Sequence, residues 1–529
     1  MANELSQVTE DSARGGFFLF SGAALASIIL AVSAILMGRF LGPELYGQYN
    51  LVLVIPSLLL LFTDLGINAG VTKFAASLRA EGKSERIPAI IRHGMLFRLA
   101  IGIVVSVLSL FFASYFALLI NRPDFSFYIQ LASLSVIFQV VFTTSNSAFV
   151  GIDKSEYSAL TTTVRAILTT ILQVVLVFFS FSLTGALIGF VGGFIVASIV
   201  GGAMLFFKFL RPSRGSSVVN PVNASSRQVL ALLARYGMPV YVSVVLIGFF
   251  PIYQQVILAF FTSDAAIGNF RAAYNFVALL SVISASITTA LLPAFSKLES
   301  ATPEVVNAFF NKANKYTCLV IVPITVSVII FSGPIAKLLY GSVYTSAALF
   351  LSLSCSVYLL SIIGSLTLLS VFNGLGKTRL TMNMTLINFV LLLVLSPLLA
   401  AVYGVVGVIV ASLVSATTAS VYAAVAAKRT LKIKFNFNYN LRIYLISVLA
   451  ALPPLGLLWF TKLSFVVVLF VGAVMYLCVF VTLMPLMKIV NVVELETLIR
   501  VTGRLPLVKV LAKTLFNYQR KILLLRNYV

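Results

Sequence analysis

The chain has 529 residues, of which 60% are hydrophobic and 10% charged, with 37 Lys and Arg against 15 Asp and Glu for a net charge of +22. That apolar content excludes a soluble globular protein, and continuous apolar runs of about 20 residues, instead of alternation over about 10, exclude a β-barrel. In a soluble protein the basic excess would point to nucleic acid. Here Lys and Arg lie between apolar runs and read as topology signals, so no nucleic-acid partner is expected.

Taken in order, the chain opens with Glu4, Glu10 and Asp11 before Arg14. It lacks the basic start and cleavage site of a signal peptide, so the first span is expected to be retained. Fourteen spans are predicted, near 16–38, 45–70, 94–120, 126–150, 158–181, 186–209, 237–262, 269–293, 316–340, 347–372, 381–402, 405–427, 443–461 and 465–487. An even count puts both termini on one side. Only Arg39, Arg122, Arg271, Lys337 and Lys462 fall on the other side or near that face, and dense basic clusters at Lys73–Arg98, Lys208–Arg235 and Lys428–Arg442 lie on the terminal side. The positive-inside rule then makes both termini cytoplasmic in a multi-pass cell-membrane protein.

The sequence repeats itself weakly. GQYNLV at Gly47 and GNFRAA at Gly268 open spans 2 and 8. FVGIDKSEY at Phe149–Tyr157 aligns with FNGLGKTRL at Phe372–Leu380, and IVASIV at Ile195–Val200 with IVASLV at Ile409–Val414. These matches predict an N-lobe of spans 1–6 over residues 1–209 and a C-lobe of spans 7–12 over 237–427. With an even number of spans each, the lobes would be parallel repeats. Residues 210–236, with Pro212, Gly215 and Pro221, read as a cytoplasmic linker. Spans 13 and 14 fill 428–487. In the tail, 488–529, Leu507, Val508, Leu511, Leu515 and Phe516 alternate with Lys509, Lys513, Arg520 and Lys521, the pattern of a helix lying on anionic lipid.

Little of the sequence suggests catalysis. Cys318, Cys355 and Cys478 fall in separate spans without metal or disulfide spacing, and His93 is the single histidine. GLGKT at Gly374–Thr378 lacks the first glycine of a phosphate loop, Val371 standing in its place, and has no βαβ context. The outer loops offer no paired carboxylates for acid–base chemistry. An enzyme, a metal site and a cofactor are therefore not expected.

Charges within spans are the remaining chemistry. Asp64 lies inside an apolar run, where a carboxylate costs about 2.5–3.5 kcal/mol on insertion scales and marks a functional candidate. Arg98 and Arg165 lie one and two turns into spans 3 and 5, and Arg39, Arg271 and Lys337 sit at outer span ends. Long basic side chains near helix ends can also snorkel to the interface, the plain reading for Arg39 and Lys337, which are otherwise candidates for an outer gate. For Asp64 the plain reading is a helix–helix contact through an Asp-Leu-Gly turn, with Arg98 or Arg165 as its partner.

RFLGPELYGQY, beginning at Arg39, and TDLGINAG, beginning at Thr63, resemble the paired signature of the polysaccharide transporter family of lipid-linked oligosaccharide flippases. That family is related to the multidrug exporters and the peptidoglycan-precursor flippases. The resemblance implies an all-α fold of two six-helix lobes plus two helices. It also implies alternating access and a polyprenyl phosphate- or pyrophosphate-linked sugar as cargo, moved from the cytoplasmic to the outer leaflet; a monomer is expected. Arginine matches phosphate oxygens bidentately, so Arg165 and Arg271 are the expected cargo ligands, with Arg98 and Asp64 beside them. Two alternatives stay open: a cation-coupled multidrug exporter, for which intramembrane carboxylates are scarce here, and a non-transporting scaffold that docks glycosyltransferases on its basic cytoplasmic face.

Overall fold

The computed structural model describes residues 2–210, 226–460, 463–490, 494–496 and 517–520. Most of the predicted linker, Lys462 and the tail residues Leu507 to Phe516 lie outside the described residues. Every regular element described is helical, with no strand among the described residues. Eleven helices are long and apolar enough to cross a membrane, or up to 12 if the bent pair Ala347–Ile363 and Ser365–Gly374 is one span. Large apolar side chains face outward, as at Phe111 (79% exposed), Phe470 (74%), Trp459 (83%) and Phe460 (88%). This suits lipid as the solvent.

The longest helices are not single straight rods. Gly15–Leu61 covers 47 residues and Thr378–Thr430 covers 53, so a straight helix of either length would run about 70–80 Å, against about 30 Å of hydrocarbon. Each contains a glycine with non-helical backbone, Gly42 (φ 72°, ψ 172°) followed by Pro43, and Gly404 (φ 56°, ψ −130°). Positive φ strains any residue with a Cβ, so these glycines are where the chain can turn back. The predicted second span is also broken lower down. Helix Val54–Leu61 stops, residues 62–66 turn with Leu65 (φ 47°) and Gly66 (φ 79°) left-handed, and helix Ile67–Ala80 begins. Asp64 therefore sits in a break between two helices and not on a helix face.

The chain forms two compact units, Met1–Arg271 and Ala272–Val529. In the first, Ile67, Val71, Ile91, Phe149 and Leu233 belong to one fully or nearly fully buried cluster. In the second, Phe295, Phe310, Phe372 and Ile433 belong to another. The aligned segments share their local structure. Phe149 and Phe372 are each 0% exposed. After each, the chain leaves its helix through a left-handed residue, Asp153 (φ 59°) or Gly376 (φ 66°). The next amide then bonds back to the aromatic residue's carbonyl, Lys154 N to Phe149 O at 2.8 Å and Lys377 N to Phe372 O at 2.7 Å. That is the six-to-one bond of a Schellman ending, made twice at matched positions.

Candidate functional site

The break at residues 62–66 brings the first two candidates together. Arg98, on helix Ile87–Phe111, is 2% exposed although charged. Its Nε lies 3.6 Å from Asp64 Oδ1. Its Nη1 donates to Thr143 Oγ1 (3.0 Å) and Thr144 Oγ1 (2.8 Å), while Nε and Nη2 reach Thr63 O (3.4 Å) and Thr63 Oγ1 (3.3 Å). A buried guanidinium is tolerable only with such partners. Asp64 Oδ1 also accepts the backbone N–H of Asn68 (3.0 Å) in the first turn of Ile67–Ala80, where a carboxylate meets the positive end of the helix dipole. The ion pair thus ties the break to helix Ile87–Phe111, and the Arg98 bonds to Thr143 and Thr144 extend the tie to helix Ser135–Gly151.

Arg165 lies elsewhere, on helix Ser155–Leu176, and differs in kind. Its guanidinium carbon stands 5.6 Å from the Phe142 ring centre and 5.0 Å from that of Phe194. Its Nε is buried with no hydrogen-bond partner among the described residues. Arg271 is half-buried and within electrostatic reach of Tyr49. The Tyr49 hydroxyl accepts from Gln173 Nε2 (2.7 Å), whose Oε1 accepts from Ser33 Oγ (3.1 Å), making a buried polar row. Arg39 and Lys337 are exposed.

A contact that the sequence did not suggest ties the loops before spans 4 and 8. Arg122 Nε donates to Asp264 Oδ1 at 2.8 Å and its Nη2 lies 2.8 Å from the same oxygen. Its remaining donors reach Asn121 O, Ala259 O and Thr262 O at 2.8–3.1 Å. Gln48 Nε2 donates to Asp264 Oδ2 at 3.2 Å. Immediately beside this pair the two repeat-matched glycines meet. A Cβ on Gly47 would overlap the Asp264 carbonyl, and a Cβ on Gly268 would overlap the Pro43 carbonyl. Each glycine touches the residue four before the other, a reciprocity that a local two-fold relation produces. A second glycine seam joins the turn at Gly66 to helix Ser226–Phe261, where Gly66 and Gly237 each exclude a Cβ on the other. The only sequence signal for this contact was an Arg and an Asp in facing loops, and a loop charge ordinarily reads as topology.

These helices define an all-helical, multi-pass membrane fold. The structure superimposes on the lipid II flippase MurJ in its inward closed conformation with a TM-score of 0.66 and 17% identity, covering 88% of this chain and 98% of that one. The chain belongs to the family described as "Polysaccharide biosynthesis protein", whose profile matches residues 12–299. It is 21% identical over 474 residues to an uncharacterized membrane protein of Methanocaldococcus jannaschii, covering 86% of this chain and 91% of that protein. It is 22% identical over 262 residues to a probable low-salt glycan biosynthesis flippase of Haloferax volcanii, covering 48% of this chain and 54% of the relative.

Proposed function

We propose that the protein is a flippase that carries a polyprenyl phosphate- or pyrophosphate-linked oligosaccharide from the cytoplasmic to the outer leaflet by alternating access. The cargo serves surface polysaccharide or glycoprotein synthesis. The observation that carries this reading is Arg165, a largely buried cation between two aromatic rings with no acidic partner among the described residues. A cation left so at membrane depth is costly, and an anionic cargo would complete it. Arg271 is the second phosphate ligand, and Arg98 with Asp64 forms the entrance. In this reading both termini are cytoplasmic, the bent pair Ala347–Ile363 and Ser365–Gly374 is one span, and the two long helices broken at Gly42 and Gly404 are two spans each, giving fourteen. The lobes are spans 1–6 and 7–12. A cation-coupled exporter is disfavoured because Asp64, the carboxylate it would use, is already bound to Arg98 and Asn68.

The test is surface glycan display in a strain lacking the native gene, complemented by each variant. Arg165→Ala and Arg271→Ala should each abolish display at near-normal protein abundance, with lysine a partial substitute because it keeps the charge but loses the fork. Full complementation by the double alanine variant would overturn the phosphate clamp and favour the scaffold alternative.

A further inference from the structure

Within the second unit, a cavity of about 390 Å³ opens between the start of helix Pro303–Ile330, the approach to helix Phe437–Phe460 and the segment after helix Phe465–Leu486. It is lined by Lys312, Lys315, Lys488, Asn436, Tyr439 and Glu494 among others. None of these groups belongs to the cargo path described above. The volume is within the range of about 300–1,000 Å³ usual for small-ligand sites. Its lining is unlike theirs, being polar and dominated by ammonium groups.

Lys315 is buried, 2.9 Å from both oxygens of Glu494, with its ammonium 4.7 Å from the Tyr439 ring centre. Among the described lining residues, three carry ammonium groups and one a carboxylate. The walls are fixed before any ligand arrives. Asn307 Oδ1 and Asn311 Oδ1 accept the backbone N–H groups of Lys434 and Asn436 at 2.8 and 2.9 Å, and Asn311 Nδ2 donates to Lys434 O at 2.9 Å. Arg442 Nη1 donates to Met487 O at 3.1 Å, holding the chain that presents Lys488. These bonds hold the backbone around the cavity in place, which spares a ligand that part of the ordering cost. Lysine ammonium groups are point-charge partners for phosphate.

We propose that this cavity binds a phosphate-bearing anion, with Lys312 and Lys488 as its charge partners and the Lys315–Glu494 pair as the floor that positions them. Two sources carry that chemistry, a lipid headgroup and a water-soluble phosphate compound. The inference does not rest on the flippase reading, because it concerns binding by other residues.

The experiment follows thermal unfolding of the full-length protein in a neutral detergent during titration with either inorganic pyrophosphate or farnesyl monophosphate, farnesol serving as the uncharged control. Wild type should be stabilised in a saturable way by at least one phosphate probe and not by farnesol, and the effect should weaken as salt is added. Response to pyrophosphate assigns a soluble ligand, whereas response to farnesyl monophosphate alone assigns a lipid headgroup. The Lys312→Gln, Lys488→Gln double variant should bind about tenfold more weakly or worse, and the corresponding double arginine variant should retain binding. The unfolding midpoint without probe reports whether each variant is folded. A wild type that responds to neither probe, or a double glutamine variant that binds like wild type, would overturn the site. Loss of probe binding with intact glycan display would leave the flippase proposal standing, and the converse would leave this site standing.

Discussion

Asp64 and Arg98 illustrate what a rare charge in an apolar run can reveal. Their scarcity alone marks both, because each needs a partner at membrane depth. The turn that seats Asp64 was harder to read, since a hydropathy window averages over Leu65 and Gly66 and cannot register two left-handed residues. Four hydrogen-bonding donations surround the Arg98 guanidinium. Arg98→Ala should therefore destabilise the protein by about 3–5 kcal/mol, the cost of removing one member of a buried pair, visible as a lowered unfolding midpoint in detergent. Asp64→Asn should cost less, because that side chain is 25% exposed and the amide oxygen can still accept from Asn68. Equal losses from the two changes would contradict this division of roles. Arg122 and Asp264 were illegible as a pair for a different reason. Arg122 sits in a loop and Asp264 opens a helix, places where either charge already has an explanation, and only folding places them 2.8 Å apart.

At the scale of elements, the apolar runs were legible because membrane helices must satisfy their backbone internally. Their breaks were only partly so. The break at Gly42 is followed by Pro43, a turn signal visible in the sequence, whereas Gly404 and the 62–66 break carry no proline. The glycine seams at 47/268 and 66/237 are where helix backbones touch, which makes them the natural places for packed elements to part and rejoin. Gly268→Val should force the first seam open, because its side chain would occupy the space of the Pro43 carbonyl. A cysteine placed at Asn50, one turn below, should then react faster with a water-soluble maleimide than in the parent. Unchanged reactivity would mean that the seam does not shield that depth. Arg122→Gln should give a smaller increase in the same direction, since it removes the latch but leaves the backbone contact.

For the whole molecule, the proposed orientation rests on the distribution of basic residues, and the proposed repeat on the Phe-Gly-Lys register, whose turns carry the same backbone bond at Lys154 and Lys377. Cargo is the part that the chain's pattern leaves least visible, because an arginine reads alike whether it meets phosphate, lipid or an aromatic ring until its surroundings are known. Cysteines at Lys83, Lys312 and Lys432 should be shielded from an impermeant label in intact cells, and those at Pro123 and Ser263 labelled. The opposite pattern would reverse the direction of transport. The most direct measurement of the central claim uses proteoliposomes of the purified full-length protein loaded with a fluorescent polyprenyl pyrophosphate oligosaccharide, following how much becomes accessible to an external glycosidase. Wild type should move the inner-leaflet pool outward much faster than protein-free vesicles, and the Arg165→Ala, Arg271→Ala variant should match the protein-free rate. A wild-type rate no faster than protein-free vesicles would contradict the account.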